Sequence, residues 1–528
     1  MRNYKKILCI CLSALLLLSF SSCGSDKSDQ LIKYNISSDP VNLDPPLADD
    51  PQSALVVTNL FEGLLRLTAD GKLTEGVAAD YDVSGDGLTY TFHLRSDAKW
   101  SDGTSVTAKD FVFGFQRLFN PSTGSESAKK LYCIRNAEQI HTGQLPVNSL
   151  GVRANDDNTL TIELAYQDAM FLTLLTTPVA MPCNEAFFVQ SKGRYGLTEK
   201  TLLSNGAYRL KEWEKGKYLA LRRNEEYHSA AEVKNGGISL YIQPDEAKTL
   251  EDFKNGSVYA FSLSGTQTEK LTGKGYNIDR NSNSVWGILL NRTKPVLANN
   301  NISNALMHGF DPSSYKKYLP DYLTPANAIV PPAVSILEKP YREELAKNVA
   351  APAYNVEQAK LLARAGFAEL QVSSLTELTV IIPKDTPLTS VFSYISQVWQ
   401  RDLNIYFRVE QLEETEYRQR LNSGNFDCAL IQLTADYNSP NAFLSQIDQM
   451  EKYGIQLPGL HDLLNRASRG GLEQSAGIYR EAEQMILNAG VFLPLAYQTN
   501  CFVSKTSVTG FIHDISGEIV DFKNCVFK

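Results

Sequence analysis

Strands and helices alternate between residues 355 and 440, and this alternation restricts the possible folds more than any other feature of the chain. Asn355 followed by Gln358 predicts the start of a helix, which we expect to end at Gly366. The apolar pattern then predicts, in order, a strand Leu378–Ile382, a helix through Val391–Leu403, a strand Ile405–Val409, a helix through Tyr417–Leu421 and a strand Cys428–Leu433. Such alternation is typical of right-handed crossovers in a mostly parallel sheet. The sequence therefore predicts an α/β fold here.

Asp436 lies just past the last predicted strand. Ligands collect beyond the carboxyl ends of parallel strands, so this position is a candidate binding site. The run Asp436-Tyr437-Asn438-Ser439-Pro440 is also typical of a turn, because Asp and Asn accept local backbone hydrogen bonds and Pro ends a strand. From the residues alone, the turn is the favoured interpretation.

The first half of the chain is predicted to be rich in strands, with inserted helices. Tyr90–Arg95 alternates in polarity after the turn pair Asp86-Gly87, which predicts a half-buried hairpin strand. Thr107 and Asp110 resemble a capping box that opens an amphipathic helix. Residues 206–227 predict a further hairpin.

Length and composition indicate a globular protein with more than one domain. Removal of residues 1–22 from the 528-residue chain leaves 506, which is too many for a single core. Hydrophobic residues make up 43% of the chain and the net charge is −8, so no basic surface for nucleic acid is expected.

The N-terminus has the pattern of a secretory leader. Arg2, Lys5 and Lys6 precede the apolar run Ile7–Leu18, and serines lie just before Cys23. The run is shorter than the roughly 20 residues that a membrane-spanning helix needs. We therefore expect residues 1–22 to be a cleaved signal peptide.

Phe20-Ser21-Ser22-Cys23 resembles a bacterial lipobox, whose cysteine is acylated and becomes the mature N-terminus. Residues 23–30 would then be a lipidated flexible tether that lets the folded part stand off the membrane. Phe20 departs from the usual leucine, and an ordinary signal peptide with an incidental Cys23 is the alternative. The resemblance predicts a protein anchored outside the cytoplasm to the bacterial cell membrane.

Five cysteines remain beyond the leader and Cys23, and an odd number leaves at least one thiol unpaired. Cys501 and Cys525 are the most favourable pair if a disulfide forms. The alternative is that all five are buried thiols. The set comprises Cys133, Cys183, Cys428, Cys501 and Cys525.

Two distant stretches resemble one family. The first runs from Asn59-Leu60-Phe61-Glu62-Gly63-Leu64 to Thr107-Ala108-Lys109-Asp110, and the second is Thr434-Ala435-Asp436-Tyr437-Asn438 with Pro440 and Phe443-Leu444. Both are similar to the extracytoplasmic solute-binding proteins of family 5, the oligopeptide- and dipeptide-binding lipoproteins of ABC transporters. The resemblance implies a two-lobed, periplasmic-binding-protein-like α/β fold of type II, with an extra subdomain and a ligand cleft between the lobes.

The resemblance also implies domain boundaries. Lobe I would combine residues 31–60, 185–284 and 497–528, the extra subdomain would be 61–184, and lobe II would be 285–496. The function implied is capture of an oligopeptide by a monomeric receptor that presents it to ABC permease subunits, with no cofactor or metal.

Within the family, the aspartate at the position of Asp436 receives the α-ammonium group of the peptide, and a buried ammonium needs a paired charge. The backbone of Gln432, Leu433 and Thr434 would bind the peptide main chain. A facing contact comes from the segment after Leu43-Asp44-Pro45, which indicates Asp49 and Asp50, although an acidic pair also suits a solvated loop.

Two aromatic residues are further candidates. Tyr497 matches a tyrosine-bearing strand that lines the cleft in the family, and a core aromatic is an equally good interpretation. Trp286 lies where a hinge crossing is expected, and a buried wedge between the lobes is its alternative.

Other positions depart from the family pattern, since almost none of the side-chain pocket of enteric oligopeptide binders is present. The positions that align with that pocket are Ser127, Thr177, Glu414, Leu421, Leu430 and Leu433. Peptide length and side-chain preference could therefore differ, or the ligand could be a metal chelate, haem, a sugar or a signalling peptide.

Catalytic and metal-binding motifs are missing from the sequence. The six histidines are widely separated, and there is no G-x-S-x-G elbow, P-loop or dinucleotide fingerprint. A secreted envelope hydrolase is thus a remote alternative, and we expect no enzymatic activity.

Overall fold

The computed structural model describes residues 30–68, 71–264, 271, 274–336, 339–384, 386–435, 437–469, 472–514, 517 and 519–528. The leader 1–22, Cys23 and Asp436 lie outside these residues. In the first part of the chain the elements are β1 (Leu31–Ile36), α1 (Pro51–Leu60), β2 (Leu65–Leu67), β3 (Leu73–Glu75), β4 (Ala78–Val83), β5 (Thr89–Leu94), α2 (Ala108–Phe119), α3 (Ala137–His141), β6 (Val152–Ala154), β7 (Thr159–Glu163), α4 (Phe171–Leu174) and α5 (Glu185–Gln190).

The middle of the chain continues the strands and adds short helices. Its elements are β8 (Tyr208–Glu214), β9 (Tyr218–Arg223), β10 (Gly237–Ile242), α6 (Glu246–Asn255), β11 (Ala260–Ser264), β12 (Tyr276–Leu290), α7 (Pro295–Ala298), α8 (Asn300–His308), β13 (Leu323–Pro325), β14 (Ser335–Ile336) and β15 (Lys339–Pro340).

The last part alternates longer helices with strands. Its elements are α9 (Val356–Leu370), β16 (Leu375–Pro383), α10 (Thr389–Leu403), β17 (Ile405–Leu412), α11 (Glu414–Ser423), β18 (Cys428–Thr434), α12 (Asn441–Asp448), α13 (Leu460–Ser468), α14 (Leu472–Ala489), β19 (Phe492–Lys505), β20 (Val508–Thr509), β21 (Ile512–His513), β22 (Val520–Asp521) and β23 (Val526–Phe527).

One mixed sheet of eleven strands runs through the protein in the order β17-β16-β18-β12-β19-β11-β1-β10-β9-β8, with β13 paired to β19. The pairs β16–β17 and β16–β18 are parallel, which confirms the predicted crossovers. The pairs of β12 with β18 and β19 are antiparallel. A separate antiparallel sheet has the order β4-β5-β7-β6.

Most predicted elements are present within a few residues. Tyr90 and its neighbours form β5, and β8 pairs with β9 as the predicted hairpin. Thr107 and Asp110 form the capping box of α2, because each side chain satisfies a backbone N–H that the first helical turn leaves unpaired.

The predicted end of α9 at Gly366 is wrong, since the helix continues to Leu370. Gly366 instead permits close packing, because a Cβ there would lie 2.6 Å from Cδ1 of Ile302 on α8. Gln371, in the left-handed conformation, ends the helix.

The buried apolar side chains form separate clusters. Along β12 and β19, successive parts of each strand belong to different clusters. One cluster joins Ile32 through Ala260 with Phe502 to Cys525, and a small one surrounds Phe253 and Phe261. Two further clusters lie on the opposite faces of the sheet in residues 285–497. Residues 61–184 share the first cluster and do not form one of their own. No described helix is both long and apolar enough to cross a membrane.

Candidate functional site

Two long strands connect the lobes. β12 and β19 are antiparallel neighbours from Tyr276–Lys505 to Leu289–Phe492. The outer edge of β19 pairs with β13 at residues 496–498 and with β11 at residues 500–504. The register of β12 shifts between Ser282 and Ser284, which leaves Asn283 as a bulge. The bulge at Asn283 thus lies beside Thr499, where the outer partner of β19 changes from β13 to β11.

A cavity of about 290 Å³ opens at this crossing, and both lobes contribute to it. Lobe II and the crossing strands contribute Gln432, Thr434, Gln498 and Asn500. Lobe I contributes the end of β1, the start of α1 and the segment around α6, through Tyr34–Ser37, Gln52, Gln243, Pro244, Glu246, Thr249, Ser262 and Leu263. A site between two lobes is the expected place for a ligand in such an architecture.

The lining of the cavity is polar and mostly uncharged. Amides and hydroxyls dominate it, and Glu246 is the carboxylate among the described residues that line it. Asn35 donates from Nδ2 to Thr249 Oγ1 (3.2 Å) and to Asp252 Oδ2 (3.3 Å), so its amide is held in place. Within the described part of the chain, no group of three or more His, Cys, Asp or Glu side chains is placed to hold a metal ion.

Four side chains on the crossing strands form a continuous hydrogen-bonded chain. Trp286 Nε1 donates to Gln498 Oε1 (2.7 Å), and Gln498 Nε2 donates to Asn500 Oδ1 (2.9 Å). Asn500 Nδ2 donates in turn to Asn283 Oδ1 (3.0 Å). Gln498 and Asn283 are buried, so these polar groups are satisfied where an unpaired one would be costly.

The structure places two of the three residues predicted on β18 at the same cavity. Gln432 and Thr434 line it, and Gln432 Nε2 donates to Ser284 Oγ (2.9 Å). The Leu433 side chain lies in the core of lobe II, as strand alternation requires. β16 pairs with β18 at Cys428 and Ala429, and the described pairings of the residues that follow are with β12. Among the described residues, no strand therefore pairs with the second edge of the last part of β18.

Asp436 lies outside the described residues, and Ala435 and Tyr437 on either side of it are described. Ala435 is buried in the core of lobe II. Tyr437 packs against both the lobe I cluster and the lobe II cluster. Tyr437 therefore lies where these two clusters meet.

Tyr497, Asp49 and Asp50 are not among the described residues that line this cavity. Tyr497 is buried in the lobe II core, and burial raises the pKa of its hydroxyl. Asp50 caps α1, because its Oδ1 accepts from the Ser53 N–H (2.9 Å), and Asp49 is exposed. Trp286 is half-buried and is also not among the described lining residues, but its indole N–H donates to Gln498, which does line the cavity.

Sequence reasoning missed Asn283, Gln498 and Asn500. Their signal was present, since Gln498 and Asn500 are polar residues at alternate positions of a long strand that is otherwise mostly apolar. A polar pair on one face of a buried strand indicates either a hydrogen-bonded network or a binding surface.

Glu62 belongs to the first of the two stretches that resemble the family. It does not line the cavity, and its contacts hold the fold together. Its carboxylate accepts from the Tyr227 hydroxyl (2.5 Å), and it pairs with Arg66 Nε (2.9 Å) and His228 Nε2 (2.6 Å). This group of polar and charged side chains joins the residues just after α1 to the segment after β9. The contact explains why this motif packs within lobe I.

The five cysteines among the described residues are buried. Cys133, Cys183, Cys428 and Cys525 are thiols, so Cys501 and Cys525 are not joined in this structure. Burial raises the pKa of the Cys525 thiol well above its usual range, which makes it a poor nucleophile.

These features define the class of the protein. Two lobes of α/β structure, two crossing strands and a polar cavity at the crossing are the architecture of a two-lobed ligand-binding protein. Residues 72–454 match the model of the bacterial extracellular solute-binding proteins, family 5. The chain belongs to this family.

Curated relatives and solved structures extend the comparison over the whole chain. The oligopeptide-binding protein OppA of Bacillus subtilis is 26% identical and is matched over 98% of this chain and 99% of its own length. The probable deoxycholate-binding periplasmic protein YgiS of Escherichia coli is 27% identical, over 91% and 90% of the two chains. The fold is similar to that of Listeria monocytogenes OppA bound to peptide, with a TM-score of 0.76, 24% identity and coverage of 95% and 99%.

Proposed function

We propose that this protein is an extracytoplasmic receptor, lipid-anchored to the bacterial cell membrane through Cys23, that captures oligopeptides and delivers them to the permease of an ABC importer. The observation that carries the proposal is the polar cavity at the lobe crossing, to which both lobes contribute. The lobe boundaries at 284/285 and 496/497 are part of the proposal, and the change of core clusters along β12 and β19 supports them.

Capture would work by closure. A ligand that contacts both lobes stabilises the arrangement in which both contacts form, and that arrangement is presented to the permease. Tyr437 packs on both cores, and Arg469 of lobe II lies over the Tyr166 ring at 4.1 Å. Direct contacts between the lobes thus add to those made through the ligand.

Two local features favour a peptide. The open edge of β18 offers backbone groups of the kind that pair with an extended main chain. Asp436 follows that edge by two residues, and its carboxylate would pair with the α-ammonium group. Relatives whose names specify oligopeptides or dipeptides support the same ligand class.

A non-peptide ligand is the second candidate. The uncharged amides and hydroxyls of the cavity also suit a hydroxylated molecule, and one relative is named for probable deoxycholate binding. The family consists of solute-binding proteins, so we propose a receptor without enzymatic activity.

Native mass spectrometry of gently purified protein distinguishes the two candidates. Retained masses that form a series of peptides are expected. A single non-peptide mass would overturn the peptide assignment while leaving the receptor role intact.

A further inference from the structure

The direction of the amide chain on the crossing strands is fixed by one residue. An indole N–H donates and has no acceptor, whereas either end of a glutamine amide can face a neighbour. Trp286 Nε1 lies 2.7 Å from its partner on Gln498, so that partner must be the carbonyl oxygen. Gln498 therefore directs Nε2 to Asn500, and Asn500 directs Nδ2 to Asn283.

This direction determines which groups remain for a ligand. Each side-chain amide nitrogen carries two hydrogens, and Gln498 and Asn500 each use one within the chain. Both residues line the cavity at the point where the strands pass between the lobes. The second amide hydrogen of each has no acceptor among the described residues, which leaves it available to water or a ligand.

We propose that Gln498 and Asn500 recognise the ligand by donating these amide hydrogens to its carbonyl oxygens. Trp286 is the positioning residue that sets the orientation of the two amides. The proposal rests on the proposed function, because a peptide supplies carbonyl oxygens at regular intervals. The cavity floor thus selects ligands that present acceptors to it.

The opposite orientation explains why the indole matters. If the Gln498 amide were reversed, its NH₂ group would face the Trp286 N–H at 2.7 Å, donor against donor. Phenylalanine at position 286 keeps an aromatic ring but removes this constraint. Gln498 would then sample both orientations, and only one presents the hydrogen to a ligand.

The test uses the purified full chain and a library of three- to five-residue peptides. A retained peptide is identified by mass spectrometry, resynthesised and titrated calorimetrically into the wild type, Trp286→Phe, Gln498→Met and the double variant. Gln498→Met should weaken binding roughly 3- to 10-fold, the range for one neutral hydrogen bond. Trp286→Phe should weaken it roughly 2-fold, because a Gln498 amide that samples both orientations equally is competent about half of the time. In the Gln498→Met background, Trp286→Phe should have no further effect, because Trp286 acts through Gln498.

Gln498→Glu is the second variant, because it keeps the size of the side chain and its acceptor for Trp286 but has no amide hydrogen. It should weaken binding roughly 10- to 100-fold, since two acceptors would face each other. Gln400→Glu, an exposed position on α10, is the matched control and should bind as the wild type does.

The outcomes separate the two levels of the proposal. If the wild type binds the peptide and the folded variants bind it with the same affinity, ligand recognition by Gln498 and Asn500 is overturned. The receptor function then stays intact. Additive losses in the double variant would overturn the positioning role of Trp286. A wild type that retains no peptide from the library would overturn the proposed function and this inference with it.

Discussion

Polar side chains at the lobe crossing form the candidate site of this protein. Gln498 and Asn500 lie at alternate positions of β19 and line the cavity. Glu62, in contrast, belongs to a motif but pairs with Arg66 and His228 inside lobe I. A motif residue is thus structural here, and residues outside any motif form the floor of the site.

Asp436→Ala tests the amino-terminal anchor of the peptide. Removal of one partner of a buried ion pair costs roughly 2–5 kcal/mol, because the other charge is left unpaired. Peptide affinity should fall roughly 30-fold to several thousand-fold. Calorimetric titration with free and N-acetylated forms of one peptide gives the comparison. The two losses should not add, and equal affinity of the wild type for both forms would exclude the anchor.

Asp521 should make stability depend on pH. Burial raises the pKa of Asp521 to about 6, with Arg66 opposing the rise and Glu62 adding to it. A carboxyl with a raised pKa binds its proton more tightly in the folded than in the unfolded protein, so its stabilising contribution is lost as pH rises from about 4 through 6. Urea unfolding gives the free energy of unfolding of the wild type and of Asp521→Asn. The wild-type value minus the Asp521→Asn value should fall as pH rises across this range. A constant difference would contradict the raised pKa.

Strand pairing at the crossing depends on a close approach between β12 and β19. A Cβ at Gly287 would lie 2.2–2.6 Å from ring atoms of Phe492, and Pro494 pairs with Gly287 beside a register shift. Glycine is therefore required by packing at this point, and its small size lets an aromatic residue cover the strand.

Gly287→Ala should destabilise the protein by about 1–3 kcal/mol, because the added methyl group overpacks the contact with Phe492. Denaturant unfolding measures the change. Phe492→Leu in the same chain should recover part of the loss. Gly85→Ala is the control, since a Cβ there meets no atom within 4 Å. A Gly287→Ala protein as stable as this control would show that the strands separate at little cost.

The two lobes also touch away from the crossing. Arg469, at the end of α13, lies over Tyr166, which follows β7 of the small sheet. A residue of the region 61–184 therefore contacts α13 directly, and under the proposed function this contact would contribute to closure.

Arg469→Ala should weaken ligand binding without a change in the cavity. A partly exposed cation–π contact is worth about 0.5–2 kcal/mol, which corresponds to roughly 2- to 30-fold in affinity. Faster ligand dissociation, measured by surface plasmon resonance, is the expected cause. Arg466→Ala, exposed on the same helix, should leave dissociation unchanged. Equal rates for both variants would remove this contact from the closing mechanism.

Membrane attachment should depend on one sulfur atom. Cys23→Ser removes the thiol that a lipid would modify, so the protein should be released in folded form or retain its leader. Metabolic labelling with a radioactive fatty acid measures attachment. A labelled Cys23→Ser protein would place the anchor elsewhere.

Local patterns in the sequence determine most of the elements and the class of fold. Apolar runs and caps predict the strands and helices of residues 355–440, because side-chain periodicity and backbone capping act over a few neighbouring residues. Gly366 misleads in the same region, since its role is a contact with Ile302, far away in sequence.

The hydrogen-bonded network beside the candidate site was decided only by the tertiary structure. Trp286, Asn283, Gln498 and Asn500 lie on two strands separated by some two hundred residues, and they meet because an antiparallel register with a bulge brings their side chains to one face. Tyr497 shows the same limit of prediction from sequence. It lies one residue from Gln498 on β19, so its side chain points to the other face of the sheet and into the core. A local pattern shows that a residue is polar or aromatic, whereas strand register decides which side of the sheet it occupies and what it contacts.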